Sequence, residues 1–193
     1  LGVYLVDFHD RLLGVASGPA IVGSPSILQN VGSVRAIGVE AAGDYKISND
    51  FSLYVSYTYT DATYRDDVFN GAGALVAATK DKTVIDAPKH MMRGEVSYDN
   101  GQAFGRFAVN YMSKRYFNYL NDRSVPSRVV ADAAIGYRFD EEGRYELQFN
   151  VSNLFDEVYI GTINSGGTGN SGDRQTLLVA APRQFFVTLK AGF

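Results

Sequence analysis

Hydrophobic and polar residues alternate with a period of two through most of this chain. From Phe51 to Thr60, residues Phe51, Leu53, Val55, Tyr57 and Tyr59 fall on one face, and Ser52, Tyr54, Ser56, Thr58 and Thr60 on the other. Successive side chains of an extended strand point to opposite sides, so this spacing predicts a strand with one apolar and one polar face. Seven further segments follow the same rule. Tyr4, Val6 and Phe8 are expected to oppose Leu5, Asp7 and His9. Ile37, Val39 and Ala41, leading to Tyr45, oppose Gly38, Glu40 and Asp44. The apolar sets of the later segments are Gly94, Val96 and Tyr98; Phe107, Val109 and Tyr111; Ala131 to Phe139 at alternate positions; Tyr145 to Val151 likewise; and Phe185, Val187, Leu189, Ala191 and Phe193. Phe104 and Phe186 break the pattern by sitting on the polar side, and Arg35 by sitting on the apolar one.

The connections alternate in length. Lys46 to Asp50, Asp99 to Gln102 and Asp140 to Arg144 are short, and the second carries the Asp-Asn-Gly sequence of a tight hairpin. Those spanning about residues 15–33, 65–87, 114–127 and 160–181 are long, rich in Gly, Ser, Asn and Asp, and weakly periodic. Short turns on one side and long loops on the other are the habit of bacterial outer-membrane barrels. Taking the short turns as periplasmic puts Phe193 at the periplasmic rim. Tyr45, Tyr98, Phe139, Tyr145 and Phe193 then lie beside the short turns, and Tyr57, Tyr59, Tyr111 and Phe185 toward the loops, as two aromatic girdles. The fold class expected is all-β, an antiparallel transmembrane β-barrel of which residues 1–193 supply eight strands. A soluble β-sandwich or ligand-carrying barrel would also alternate, but explains neither the short–long rhythm nor the two girdles.

Composition narrows the function. The chain has 13 Tyr and 12 Phe but no Trp, no Cys, and a net charge of −3. The charge balance argues against a nucleic-acid partner. The two histidines, His9 and His90, stand far apart without metal-ligand spacing, so neither a metal site, a cofactor nor an enzymatic centre is expected. His90 reads as a residue at a strand start. The run Gly166-Gly167-Thr168-Gly169 lacks the Lys-Ser/Thr and the helix of a phosphate-binding loop.

Four stretches carry a family resemblance. They are Tyr4 to Leu12 (YLVDFHDRL); Asn30 to Glu40 (NVGSVRAIGVE); Leu53 to Ala62 (LYVSYTYTDA) with Ala87-Pro88-Lys89-His90; and Asn150 to Tyr159 (NVSNLFDEVY) with Pro182-Arg183 before a final strand. In order and spacing they resemble the C-terminal barrel region of TonB-dependent outer-membrane receptors. The resemblance implies a larger barrel of about 22 strands with a plugged lumen, and a plug domain and earlier strands outside this segment, which starts at Leu1 inside an apolar alternation. It implies an integral protein of the bacterial outer membrane. Its partners would be outer-membrane lipid, its own plug and remaining strands, TonB acting through the plug, and the barrel-assembly machinery. The implied function is TonB-energised uptake of a scarce solute: a ferric siderophore, a vitamin or an oligosaccharide. A complete small eight-stranded barrel with a structural or adhesion role is the alternative, since eight strands can close around a side-chain-filled interior.

Loops carry binding while a scaffold holds them. The candidate ligand contacts are therefore Arg65 and Asp66; Arg115, Tyr116, Phe117, Tyr119 and Arg123; and Arg174. Aromatic rings there would stack on a cargo ring, and arginines would hold an anionic chelate. On the polar face, Asp7, His9, Glu40, Arg93, Glu95, Arg106, Asp132, Arg138, Glu146 and Lys190 are expected to face the lumen. Phe185, Val187, Leu189, Ala191 and Phe193 resemble the signal read by the barrel-assembly machinery. Deleting Phe193 from the receptor that carries this segment is expected to lower its insertion. Loss of the heat-modifiable band from membrane fractions would show it, and an unchanged band would refute it.

Overall fold

A computed structural model describes residues 1–10, 12–16, 26–30, 32–69, 72–140, 142–164 and 176–192. Its centre is one eight-stranded antiparallel sheet. In spatial order the strands are β1 (Gly2–Phe8), β4 (Val34–Lys46), β5 (Phe51–Tyr64), β8 (His90–Asp99), β9 (Ala103–Met112), β12 (Arg128–Arg138), β13 (Tyr145–Ser152) and β16 (Gln184–Ala191). Neighbours in space are neighbours in sequence once the loops are set aside, so every connection is a hairpin or an elaborated hairpin. The four long connections are not structureless. Each folds into its own two-stranded ribbon: β2 (Leu12–Ala16) with β3 (Ser26–Asn30), β6 (Val68–Phe69) with β7 (Leu75–Ala77), β10 (Arg115–Tyr116) with β11 (Ser124–Val125), and β14 (Ile160–Asn164) with β15 (Thr176–Val179). All four ribbons stand at one end of the sheet, the end reached by β1, β5, β9 and β13.

At the other end the turns close through side-chain acceptors. Asn100 Oδ1 accepts the amides of Gln102 (3.0 Å) and Ala103 (2.8 Å), and Asp99 Oδ1 accepts that of Gly101 (2.9 Å). Ser48 Oγ accepts the Phe51 amide (3.1 Å), and Asp140 Oδ1 the Tyr145 amide (3.2 Å). Short polar side chains that mimic a backbone turn make such tight reversals affordable without lengthening the loop.

Register fixes the faces. The pairings Tyr45↔Leu53, Leu53↔Val96, Val96↔Phe107, Phe107↔Ala133, Ala133↔Val151 and Val151↔Phe185 run one apolar row across seven strands. Directly opposed residues share a face, so the alternation expected from the sequence holds from β4 to β16. This face is bare: Ile135 is 66%, Phe185 70% and Leu189 72% exposed, with no part of the described chain over them. At the short-turn end Phe51 and Tyr98 are opposed with their ring centroids 4.7 Å apart, and Tyr137 stands edge-on to Phe139 at 5.2 Å. At the loop end, Tyr57 and Tyr59 flank the His90 ring at 6.1 and 5.3 Å, and Tyr57 Oη lies 2.8 Å from His90 Nδ1. His90 does open β8.

β1 overturns one expectation. Its partners are Val3↔Val39, Leu5↔Ile37 and Asp7↔Arg35, while Tyr4 opposes Gly38 and Val6 opposes Ala36. Val3 and Leu5 therefore share the apolar face, and Tyr4, Val6 and Phe8 share the polar one, the reverse of the sequence reading. β1 carries apolar residues on both faces, so alternation alone cannot choose between them; pairing with β4 does. Asp7 is consequently on the apolar side and not in the lumen. It meets Arg35 there through two hydrogen bonds (2.7 and 3.0 Å). A second pair on this side, Lys89 to Asp61 at 2.8 Å, lies at the same loop-side end. Together they mark where the apolar band stops and hydrated surface begins.

On the polar face two aromatic rings lie across glycines. Tyr4 covers Gly38 and reaches Thr60 Oγ1 at 2.6 Å; a Cβ on Gly38 would fall 2.2 Å from the Tyr4 ring. Phe104 covers Gly136, where a Cβ would sit 2.2 Å from Cζ, and the Arg138 guanidinium lies over that ring, 4.4 Å from its centroid. An aromatic folded over a cross-strand glycine compensates for the side chain the glycine lacks. Phe104, an exception in the alternation, is explained by that contact.

The loops between β5 and β8 and between β9 and β12 share a small core of Val34, Tyr64 and Tyr119, flanked by Val84 and Ile85. Asn121, at φ 60°, presents its amide to Thr83 like a neighbouring strand, accepting the Thr83 N–H (2.6 Å) and donating to its carbonyl (3.0 Å). Asp66 Oδ2 accepts the Ser33 amide (2.8 Å), which binds this loop to the strand entering the sheet.

Two outcomes are expected. Gly136→Val should destabilise the barrel by about 1–3 kcal/mol through overpacking, read as a lower melting temperature of the receptor in detergent, and Phe104→Ala in the same protein should recover part of that loss. The hydrogen bond from Ser33 holds the Asp66 carboxyl below its usual range. A lowered folded pKa means that the anchor is present above the unfolded value near ~4 and is lost as the pH falls through the folded one. Limited proteolysis between residues 65 and 89 should therefore quicken below about pH 4, and Asp66→Asn should show fast cleavage already at neutral pH.

Candidate functional site on the lumenal wall

The polar face is an ordered hydrogen-bonded surface. Its transverse rows are set by register: Glu40, Thr58, Met91, Met112 and Arg128 in one, and Ala42, Ser56, Arg93, Asn110 and Val130 in the next. Several of its charges are matched locally. Arg93 pairs with Glu95 (2.5 Å) and donates to Asn110 Oδ1 (3.1 Å). Arg138 holds Asp99 through two bonds (2.8 and 2.9 Å) and stands 3.5 Å from Glu146. Asp132 Oδ1 accepts the Asn153 amide at 2.9 Å, and Oδ2 lies 3.5 Å from the Asn110 amide nitrogen. In antiparallel sheets such directly or diagonally opposed pairs are the ordinary unit of stabilisation.

Toward the loop end this surface dips into a concavity of 370 Å³, lined among others by Thr58, Met91, Asn110, Met112, Arg128 and Tyr159. Arg93, Arg128 and Asp132 are the charged residues that line it. The Arg128 guanidinium lies 4.3 Å from the centroid of the Tyr159 ring, and Nη2 is 3.9 Å from Met112 Sδ. Nε is buried without a hydrogen-bond partner.

The residues that resemble a C-terminal family signature build this region and its frame. Asn153, at φ 54° and buried, donates Nδ2 to the Glu157 carbonyl (2.9 Å) and accepts the Glu157 amide (2.9 Å). Asp156, at φ 56°, accepts the Arg183 amide (2.8 Å), and Arg183 reaches the Leu154 carbonyl (3.3 Å). Asn and Asp tolerate left-handed backbone and bond their own turn, so this signature is a knot tying the exit of β13 to the entry of β16. That knot carries Tyr159 to Arg128.

The loop candidates fare differently from one another. Arg115 is 5% exposed; it pairs with Asp86 (2.6 Å) and donates to the Ile160 carbonyl (2.7 Å), so its guanidinium links three loops. Tyr119 is 2% exposed and lies tilted against Tyr64, ring centroids 5.8 Å apart. Asp66 is the anchor already described. Arg65 and Arg123 are exposed, the former 4.0 Å from Asp81, while Tyr116 and Phe117 are half-buried and Lys114 lies over the Tyr116 ring at 5.3 Å. Arg174 and Phe193 lie outside the described residues. Phe185, Val187, Leu189 and Ala191 share the apolar face of β16, opposite Val151, Phe149, Leu147 and Tyr145. Sequence reasoning missed Arg128 because its reading of β12 began at Ala131. Continuing the alternation through Asp132 and Val130 puts Arg128 on the polar face; the placement of Tyr159 had no signal in the strand pattern.

Residues 1–154 match the family of TonB-dependent receptor-like β-barrels. The chain is 28% identical over 145 residues to the ferrioxamine B receptor of Salmonella typhimurium (71% of this chain, 19% of that protein). It is 29% identical over 160 residues to the ferrichrome outer membrane transporter/phage receptor of Escherichia coli (79% and 20%). It thus spans about a fifth of the length of these relatives. Among solved structures, that of the siderophore receptor PiuA from Acinetobacter baumannii superposes with a TM-score of 0.71 at 20% identity, covering 97% of this chain and 24% of that one. The eight-stranded open sheet, bare and apolar outside and polar inside, therefore has the fold of an arc of such a barrel, and the chain belongs to the TonB-dependent receptor β-barrel family.

Proposed function

We propose that this chain is the closing arc of an outer-membrane receptor that takes up a ferric siderophore, energised by TonB through a plug domain seated against the polar face. The observation that carries the reading is the division of one sheet into two unlike surfaces. A bare apolar face bounded by two aromatic girdles suits lipid, and a hydrogen-bonded polar face suits a filled, hydrated lumen. The names of the relatives favour iron chelates over a vitamin or an oligosaccharide. Family membership favours a receptor over an enzyme.

A free-standing eight-stranded barrel is disfavoured. Among the described residues β1 pairs only with β4 and β16 only with β13, which leaves both edges open to further strands. An unpaired strand edge cannot face hydrocarbon, because its amides and carbonyls would lose their partners. The remaining strands of the receptor supply those partners in this reading. The apolar strip of β16 with Phe193 would be the portion handed to the barrel-assembly machinery, and the loop ribbons would present the cargo surface.

The test is uptake of radio-labelled iron by a strain lacking the receptor that carries this segment, offered a panel of ferric siderophores. Loss of uptake for one chelate class, restored by the intact gene but not in a strain without TonB, is the expected result. Wild-type uptake of every chelate, with instead a loss of vitamin or oligosaccharide use, would overturn the iron assignment.

A further inference from the structure

The geometry points to the Arg128 concavity as an anion subsite of the lumen wall, one that takes the oxygen of an anionic ferric chelate in preference to a neutral one. The inference rests on the uptake reading and sharpens its substrate class.

Arg128 differs from two other arginines of this wall, though not from Arg106, which likewise meets no carboxylate among the described residues. Arg93 and Arg138 each meet a carboxylate, whereas no carboxylate lies within ion-pair distance of Arg128 among the described residues. Its flat face is taken up by the Tyr159 ring at 4.3 Å. Stacking of that kind uses the π surface and fixes the plane while leaving the in-plane N–H fork free. The open edge is the pair of Nη groups, where Nη2 has only a thioether sulfur at 3.9 Å, a weak acceptor; Nε is buried and out of a ligand's reach. A guanidinium held in place with its donors unspent is prepared for a planar, bidentate oxygen ligand.

The surroundings do not supply that ligand from within. One carboxylate, Asp132, does line the same hollow, but it stands four residues along β12 from Arg128, about 13 Å at the rise of a strand. Its oxygens face the Asn153 amide and the Asn110 side chain. Met91 and Met112, opposed across β8 and β9, give the concavity a soft apolar floor, and Ser56, Thr58 and Ser152 add hydroxyls around it. At 370 Å³ the hollow holds part of a chelate and not the whole of one. It lies in the loop-side half of the wall, where a solute arriving from the ribbons would meet it first.

The experiment uses the complete receptor in detergent, titrated by quenching of tyrosine fluorescence with two probes: an anionic ferric tris-catecholate and an uncharged ferric trihydroxamate. Arg128→Gln is expected to weaken the catecholate by about tenfold or more, the loss of a charge-assisted contact, with the hydroxamate and the melting temperature unchanged. Arg128→Lys, which keeps the charge but not the planar fork, should recover only part of the catecholate affinity. Equal weakening of both probes with a lowered melting temperature would make Arg128 a structural residue and overturn the subsite. So would unchanged titrations, or a wild-type receptor that binds only the hydroxamate, which would leave the uptake reading standing. Unchanged titrations together with faster entry of a large hydrophilic antibiotic would assign Arg128 to a plug carboxylate instead. A wild-type receptor that binds neither probe and imports no iron would fail at the uptake reading itself.

Discussion

Everything in this chain follows from the need to pair backbone amides and carbonyls where water is absent. A strand in hydrocarbon cannot leave its ladder unfilled, so each of the eight long strands takes a neighbour on both sides wherever the arc provides one. The pairing has a second consequence. Opposed residues share a face, so once β4 and β5 are in register the side of every later residue is determined up to β16. Moving any one strand by a single residue would turn Phe107, Ile135 or Phe149 into the lumen and a charge such as Arg93 or Asp132 toward lipid, at a cost of about 2–4 kcal/mol for a cation at mid-membrane. The alternating pattern is the sequence's record of that penalty.

That is why so much of the sheet was legible. Seven of the eight strands have one apolar and one polar side, and period two reads them directly, including the tight Asp99–Gln102 turn. β1 was legible as a strand but not in its orientation, because Val3 and Leu5 balance Tyr4, Val6 and Phe8; only the pairing with β4 decides. The ribbons within the loops were not legible for a related reason. Ribbons of two to five residues, such as Arg115–Tyr116 with Ser124–Val125, are too short for any period to register. Their stability comes instead from contacts made at a distance in sequence, among them Asn121 on Thr83 and Arg115 between Asp86 and Ile160.

The same distinction divides the arginines. Arg115, chosen as a ligand contact because it sits in a long loop beside aromatic residues, is buried and neutralised, and its guanidinium is taken up by Asp86 and the Ile160 carbonyl. Arg128, at the mouth of an ordinary-looking strand, keeps its Nη edge without an oxygen acceptor. Residue type and loop position cannot separate the two cases. What separates them is whether a second chain segment supplies an acceptor, and that depends on which loops fold back on which.

The residues by which the family is recognised are equally architectural. Asn153 and Asp156 adopt left-handed backbone and bond their own turn, Arg183 closes it, and Gly38 gives room to Tyr4. Each solves a problem that every barrel wall of this kind has: reversing the chain at the rim, or fitting an aromatic across a strand. Cargo differs among relatives that share such a wall, so the residues that choose it cannot be the ones that make the wall recognisable. The positions that distinguish one receptor from another are then those where a side chain is held rigidly without serving the sheet. On this arc that description fits the polar side of β8, β9 and β12 near the loops better than it fits the signature stretches.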